Sequence, residues 1–224
     1  MQMKKILMLL VLVVMCGAAA SAQDNFYIPK YKKVKEIRDY DLDNTKRNWT
    51  ITFGGGFDMA LGMQNRIDYK DYNEVIHYNG KPSFAGGHVS VGYGYKLGKH
   101  VVAGVESGYA YVDKMNMVPL KGTFKVYYGP ITRQHRTRWF NYAHLGPHFY
   151  FSKEYKTINS IAEAGVGMRV LMAKTTKIDL MLGYRNSMRR PNFDTLGNYE
   201  LDLKRVHYQQ YIHSIYFGLN FILF

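Results

Sequence analysis

His213-Ser214 sets an imidazole beside a hydroxyl, the parts of a general base and a nucleophile. Nucleophilic catalysis needs both within hydrogen-bond reach on one face. Around the pair, Ile215, Phe217, Leu219, Phe221 and Leu223 alternate with Ser214, Gly218 and Asn220, which is the period of a strand. Adjacent strand residues point to opposite faces, so His213 is badly placed to deprotonate Ser214, and no enzyme is expected. His88, His144 and His148, with Glu106 or Glu163, offer imidazole and carboxylate groups of the kind that bind zinc. No metal-ligand spacing falls on one strand, so these side chains are read as a hydrogen-bonded network, with no metal and no cofactor. Gly54-Gly55-Gly56 and Gly86-Gly87 lack the helix and the lysine that a phosphate-binding loop requires.

The elements that must position these groups are strands. Trp49, Ile51, Phe53, Phe57 and Met59 share one parity against Thr50, Thr52, Gly54, Gly56 and Asp58. The same alternation returns with Val89, Val91, Tyr93 and Tyr95 against His88, Ser90, Gly92 and Gly94, and then over 101–111, 138–151, 160–172, 178–185 and 214–223. Seven strands are clear, and a bacterial barrel with both chain ends in the periplasm needs an even number. The eighth is expected at Leu120–Ile131, weakened by Pro130, with Tyr199–Val206 as the rival location. Short turns at 96–99 and 174–177 contrast with polar stretches at 62–82 and 189–207, which are expected as long external loops.

The polar parity is rich in glycine and carries Asp58, Glu106, Glu163 and Asp179 with Arg169, Arg185 and Arg138. Glycine on an exposed strand face packs nothing. Inside a narrow barrel it makes room for long side chains that fill the lumen. Charges of mixed sign are tolerable there only if paired. A lumen network of Asp58, His88, Glu106, Glu163, Arg169, Asp179 and Arg185 is therefore expected, with the apolar parity turned to lipid. Tyrosine, at 20 residues, recurs at strand ends, where amphipathic rings mark the headgroup levels. The fold class is all-β: a transmembrane antiparallel β-barrel of about eight strands over residues 48–224.

The start of the chain reads as an export signal. Lys4 and Lys5 precede the apolar run Ile6–Met15, and Ala20-Ser21-Ala22 supplies a small-x-small cleavage site. The run is shorter than the roughly 20 residues that span a bilayer. Cleavage after residue 22 leaves 202 residues and removes Cys16, the only cysteine, so disulfides and thiolate chemistry are excluded. Residues 23–47 are charge-mixed and aperiodic, and are expected as a periplasmic segment. The formal charge falls from +13 to +11 on cleavage. In an exported protein that basicity points to anionic lipid and lipopolysaccharide phosphates rather than nucleic acid. Arg189, Arg190, Lys204 and Arg205 are the candidate phosphate contacts, since arginine binds phosphate bidentately.

The leader, the strand ladder and the closing Phe221-Ile222-Leu223-Phe224 resemble the small outer-membrane β-barrel proteins, the broad class that includes OmpX-like and PorT-like barrels. The resemblance covers about residues 48–224. It implies an outer-membrane location and a terminal strand, with Phe224 and Phe221, that the barrel-assembly machinery reads. Phe224 departs from the pattern by falling on the polar parity, which a bulge near the strand end would repair. The resemblance further implies a structural or interaction role, among them envelope integrity, adhesion, or an accessory part of an envelope machine with other envelope proteins. A small diffusion channel is the alternative, and a lipid A-modifying enzyme the second.

Overall fold

The computed structural model describes residues 48–69, 74–80, 86–112, 115–131, 136–151, 158–173, 176–191 and 206–223. The leader, the segment 23–47, Lys204, Arg205 and Phe224 lie outside the described residues. Nine strands are described: β1 (Trp49–Tyr69), β2 (Glu74–Gly80), β3 (Gly86–Lys96), β4 (Val101–Val112), β5 (Met115–Tyr127), β6 (Thr137–Tyr150), β7 (Ile158–Leu171), β8 (Thr176–Arg189) and β9 (Val206–Leu223). Each of β3 to β9 pairs antiparallel with its sequence neighbour, and β9 closes onto β1, which also pairs with β3. The closed barrel therefore has eight staves, β1 and β3 to β9, as the alternation leads one to expect.

β2 is an addition to that plan. It pairs with the far half of β1, Met63–Tyr69, whose other edge pairs with β9 from Val206 to Ile212. A three-stranded ribbon thus continues β1 and β9 past the end of β3, where a loop over 62–82 was expected. The cause is a register shift between Ala60 and Gly62. A bulge of this kind flips the parity beyond it. Gln64 and Arg66 become exposed while Asn65 is buried, so the apolar alternation that marks a strand disappears from the sequence although the strand continues.

The eighth stave is β5, offset toward the N-terminus from the expected Leu120–Ile131. Pro130 lies beyond it, and the proline within it is Pro119. Pro119 cannot donate to the ladder. Regular pairing with β4 lapses between Ser107↔Leu120 and Ala110↔Met117, and pairing with β6 lapses between Pro119↔His148 and Gly122↔Leu145, where Pro147 sits. Ser107 Oγ donates to the Pro119 carbonyl at 3.0 Å across the gap. The β4–β5 connection is only residues 113–114, whereas the β5–β6 connection at the opposite end spans residues 128–136.

The two faces are those of a transmembrane barrel rather than a soluble one. Phe53, Phe57, Val91, Val105, Phe124, Leu145, Leu182 and Phe217 are exposed on the outside, while lysines, arginines and carboxylates are buried inside. Phe57 and Phe217 stack across the β1–β9 closure at 5.4 Å. Along β9 the outward residues from Leu223 to Ile215 are all apolar. Those eight steps cover roughly 27 Å of strand, or about 20 Å along the normal at a tilt near 40°. Trp49, Tyr93, Tyr95, Tyr128 and Trp139 ring the end of the barrel where the described chain starts and finishes; Tyr109, Tyr111, Tyr184 and Tyr211 ring the other.

Candidate functional site

The lumen is filled by side chains that the inward parity brings from every stave. Seven buried cations (Lys121, Lys125, Arg138, Arg169, Lys177, Arg185 and Arg189) share it with four buried carboxylates (Asp58, Glu106, Glu163 and Asp179) among the described residues. Their heights follow from the register, and they sort into layers.

In the middle layer Arg185 of β8 bridges two carboxylates. Its Nη1 donates to Asp58 Oδ2 of β1 at 2.5 Å, and its Nη2 and Nε donate to Glu163 Oε2 of β7 at 2.7 and 3.0 Å. The guanidinium carbon stands 4.3 Å from the ring centroid of Tyr216, which stacks on His88 at 5.3 Å. His144 Nδ1 lies 3.4 Å from Glu163 Oε1. Lys121 Nζ and Glu106 Oε1 are 2.7 Å apart, a buried ion pair between β5 and β4 beside the Pro119 gap.

The layer nearer the chain ends is built on Asp179. Arg169 grips it in a fork, Nε to Oδ1 at 2.7 Å and Nη2 to Oδ2 at 3.0 Å, and Lys125 Nζ approaches Oδ2 at 2.9 Å. Tyr127 also receives a hydrogen bond from Arg169 Nη2. The guanidinium carbons of Arg138 and Arg169 each lie 4.2 Å from the Tyr127 ring centroid, cation–π distance. A cavity of about 20 Å³ bounded by Thr50, Glu106, Thr123, Lys125 and Arg169 adjoins this layer, room for about one water.

Glycines give the large lumen side chains their space. A Cβ on Gly218 would strike the Tyr216 ring, one on Gly183 the Tyr142 hydroxyl, one on Gly167 the Phe140 ring. A Cβ on Gly56 would come within 2.8 Å of the His88 ring.

At the far end His148 packs edge-on against Tyr150, 5.0 Å between centroids. Arg189 is here too, which corrects its assignment to an external loop. The β8 alternation runs two residues past Ser187, so Arg189 is inward and buried, 5.5 Å over the Tyr150 ring. Buried in the lumen, it is not presented to a lipid phosphate. Arg190 is exposed, with its backbone N–H donating to Asn159 Oδ1 at 2.8 Å.

Other sequence candidates separate. Ser214 is buried in the lumen, whereas His213 faces out and stacks on Tyr184 at 5.9 Å, its Nδ1 bonded to the Tyr184 hydroxyl. Phe221 is exposed on the outer face and pairs with Phe53 and Ile178. The β9 register runs without a break to Leu223 against β8, and its one shift against β1 is at Ala60/Gly62, far from the strand end. Lys121, Lys125, Lys177, Arg189 and Tyr216 are lumen residues that pattern reading left out. Lys177 shares parity with Asp179, Arg189 with Arg185 and Tyr216 with Ser214, and extending the alternation would have found these three.

No protein-family model matches the sequence, and no curated protein matches it either. Some solved structures are similar to the chain. The outer membrane protein AlkL covers 89% of this chain and 95% of its own at 9% identity and a TM-score of 0.46. The outer membrane protein OprG of Pseudomonas aeruginosa covers 76% and 95% at 9% identity and a TM-score of 0.43. Neisserial surface protein A covers 78% and 96% at 10% identity and a TM-score of 0.39.

Proposed function

We propose that the exported chain is an integral barrel of the bacterial outer membrane whose role is structural or interactive, not catalytic. The observation that carries the reading is inverted polarity: an apolar, aromatic-rimmed outside around a lumen of buried ion pairs. Lipid is the environment in which both faces are stable, because hydrocarbon accepts the outer side chains and the closed ladder leaves no open edge along the barrel wall. The packed lumen argues against solute passage, since the Arg185 and Asp179 layers cross it. The separation of His213 from Ser214 argues against hydrolysis at that pair. Both chain ends are assigned to the periplasm, and the β1–β2–β9 ribbon to the outside, where adhesion or contact with other envelope proteins would occur. Lipopolysaccharide phosphates are assigned to Arg190, Lys204 and Arg205, and the terminal strand, with Phe221 and Phe224, to the barrel-assembly machinery.

Planar-bilayer recording of the refolded protein tests the reading. Silent traces are expected, and steady single-channel steps would replace it with the diffusion-channel alternative. Lipid A mass spectra should be the same in expressing and deleted cells; a new acylation or deacylation product would establish the enzyme alternative instead.

A further inference from the structure

The ribbon continues the lipid-facing side of the barrel, and that side changes chemistry with height. Along β9 the outward residues run Phe221, Leu219, Phe217 and Ile215, then His213, Tyr211 and Gln209. At the level of Gln209 the register sets His77 of β2 against Arg66 of β1, and Arg66 against Gln209. β8 extends this row. Arg189 pairs with Gln210 and is buried inside, so Arg190, one residue on, stands level with Gln209 and is exposed. Arg66 and His77 are exposed as well. Two arginines therefore flank Gln209 on one outer face, with backbones about 10 Å apart at the ordinary strand spacing. Asp68 Oδ2 lies 3.8 Å from Arg66 Nη2, but the two side chains are 38% and 46% exposed. An ion pair so open to water is weak, and a phosphate competes with it.

Height selects the anion. From Ile215, the last outward apolar residue of β9, to Gln209 is six strand steps, roughly 20 Å, or about 15 Å along the normal at a tilt near 40°. The polar layer of a phospholipid leaflet is only about 5–8 Å thick. At the level of Arg66 and Arg190 the phosphates of the membrane itself are those on headgroups lengthened by sugars. The amides of this face suit such a headgroup. Gln64 and Asn79 are exposed and Gln209 is half-buried, and an amide both donates and accepts, as a sugar hydroxyl does. The Tyr211 hydroxyl donates to Gln209 Oε1 at 2.8 Å, which leaves the NH2 of that amide as its donating end.

We propose that Arg190, Gln209, Arg66 and His77 form a binding row for the phosphorylated sugars of an outer-leaflet glycolipid. The guanidinium groups take the phosphate in charge-assisted hydrogen bonds, and the amides take the sugar hydroxyls. The inference rests on the assignment of the ribbon to the outside of the outer membrane. It turns the phosphate contact of Arg190 from that of a single residue into a surface shared by four strands.

Binding of fluorescent lipopolysaccharide to the folded protein in detergent tests the row. One probe carries lipid A and phosphorylated inner-core sugars, a second is the same molecule with its core phosphates removed, and labelled phosphatidylglycerol is the charge control. Arg66→Gln and Arg190→Gln should each weaken binding of the phosphorylated probe by about tenfold or more, the worth of one hydrogen bond to a charged group. Neither should change binding of the other two probes. Arg136→Gln, exposed at the opposite rim, should leave all three unchanged. A heat-dependent gel shift confirms that each variant is folded. Parent affinity for the phosphorylated probe in R66Q and R190Q would overturn the proposal, as would an equal loss in R136Q or an equal loss toward phosphatidylglycerol. A second arm tests the outward placement by itself. Val75→Cys, exposed on β2, should react with a membrane-impermeant maleimide in intact cells as in lysed ones, over a parent whose only cysteine is Cys16. Labelling of V75C alongside unaffected binding sinks the row alone; labelling only after lysis sinks the placement of the ribbon and the row with it.

Discussion

Replacing Arg185 by methionine keeps the volume of the side chain and removes the cation shared by Asp58 and Glu163. Three hydrogen bonds are lost, at 2.5, 2.7 and 3.0 Å, and two buried carboxylates are left facing each other. At charge separations near 4 Å and an effective dielectric of 20, each pair attraction is about 4 kcal/mol. Relaxation and water entry return part of that, and a buried pair broken at one partner typically costs about 3–5 kcal/mol. Arg185→Met is therefore expected to destabilise by that amount at neutral pH. Adding Asp58→Asn and Glu163→Gln should bring the triple variant back to within about 2 kcal/mol of the parent, because no orphaned charge remains. Urea unfolding from lipid vesicles, followed by the fluorescence of Trp49 and Trp139, measures all three. An R185M midpoint indistinguishable from the parent, or a triple variant worse than R185M, would refute the reasoning that this arginine is held by two carboxylates.

Other consequences are independent of that network. Gly218→Ala should destabilise by about 1–3 kcal/mol through collision with the Tyr216 ring, and the double variant with Tyr216→Ala should be less costly than the sum, by unfolding in the same assay. Leu219→Arg on the outer face should cost about 2–4 kcal/mol in vesicles, whereas Gln209→Arg on the ribbon should be within about 1 kcal/mol of neutral. Amide hydrogen exchange should be faster at Gly108, Tyr109, Leu120 and Lys121 than at their neighbours, because pairing lapses there; uniform protection across β4 to β6 would contradict this.

The barrel was legible wherever one strand face is greasy and the other is not. Val89, Val91 and Tyr93 against Ser90, Gly92 and Gly94 state their faces without a structure. Two parts were illegible for physical reasons. Beyond the Ala60/Gly62 shift the buried Asn65 and the exposed Gln64 and Arg66 are all polar, so this stretch carries no apolar alternation to read. In β5, Pro119 looks like a strand end, yet a barrel wall tolerates it by losing ladder bonds locally, and the start of the strand was misplaced. Parity also assigns a face but no height. Which cation meets which carboxylate depends on register across staves far apart in sequence, as in the pairing of Arg185 with Asp58.

The orientation of β9 can be measured directly. With no cysteine after Cys16, single spin labels can be placed in turn from Ser214 to Phe221 and the protein reconstituted in vesicles. Oxygen collision rates should peak at Ile215, Phe217, Leu219 and Phe221 and fall at Ser214, Tyr216, Gly218 and Asn220. Peaks on the second set, or equal access of a water-soluble relaxant to both, would contradict a barrel that turns its greasy face to lipid.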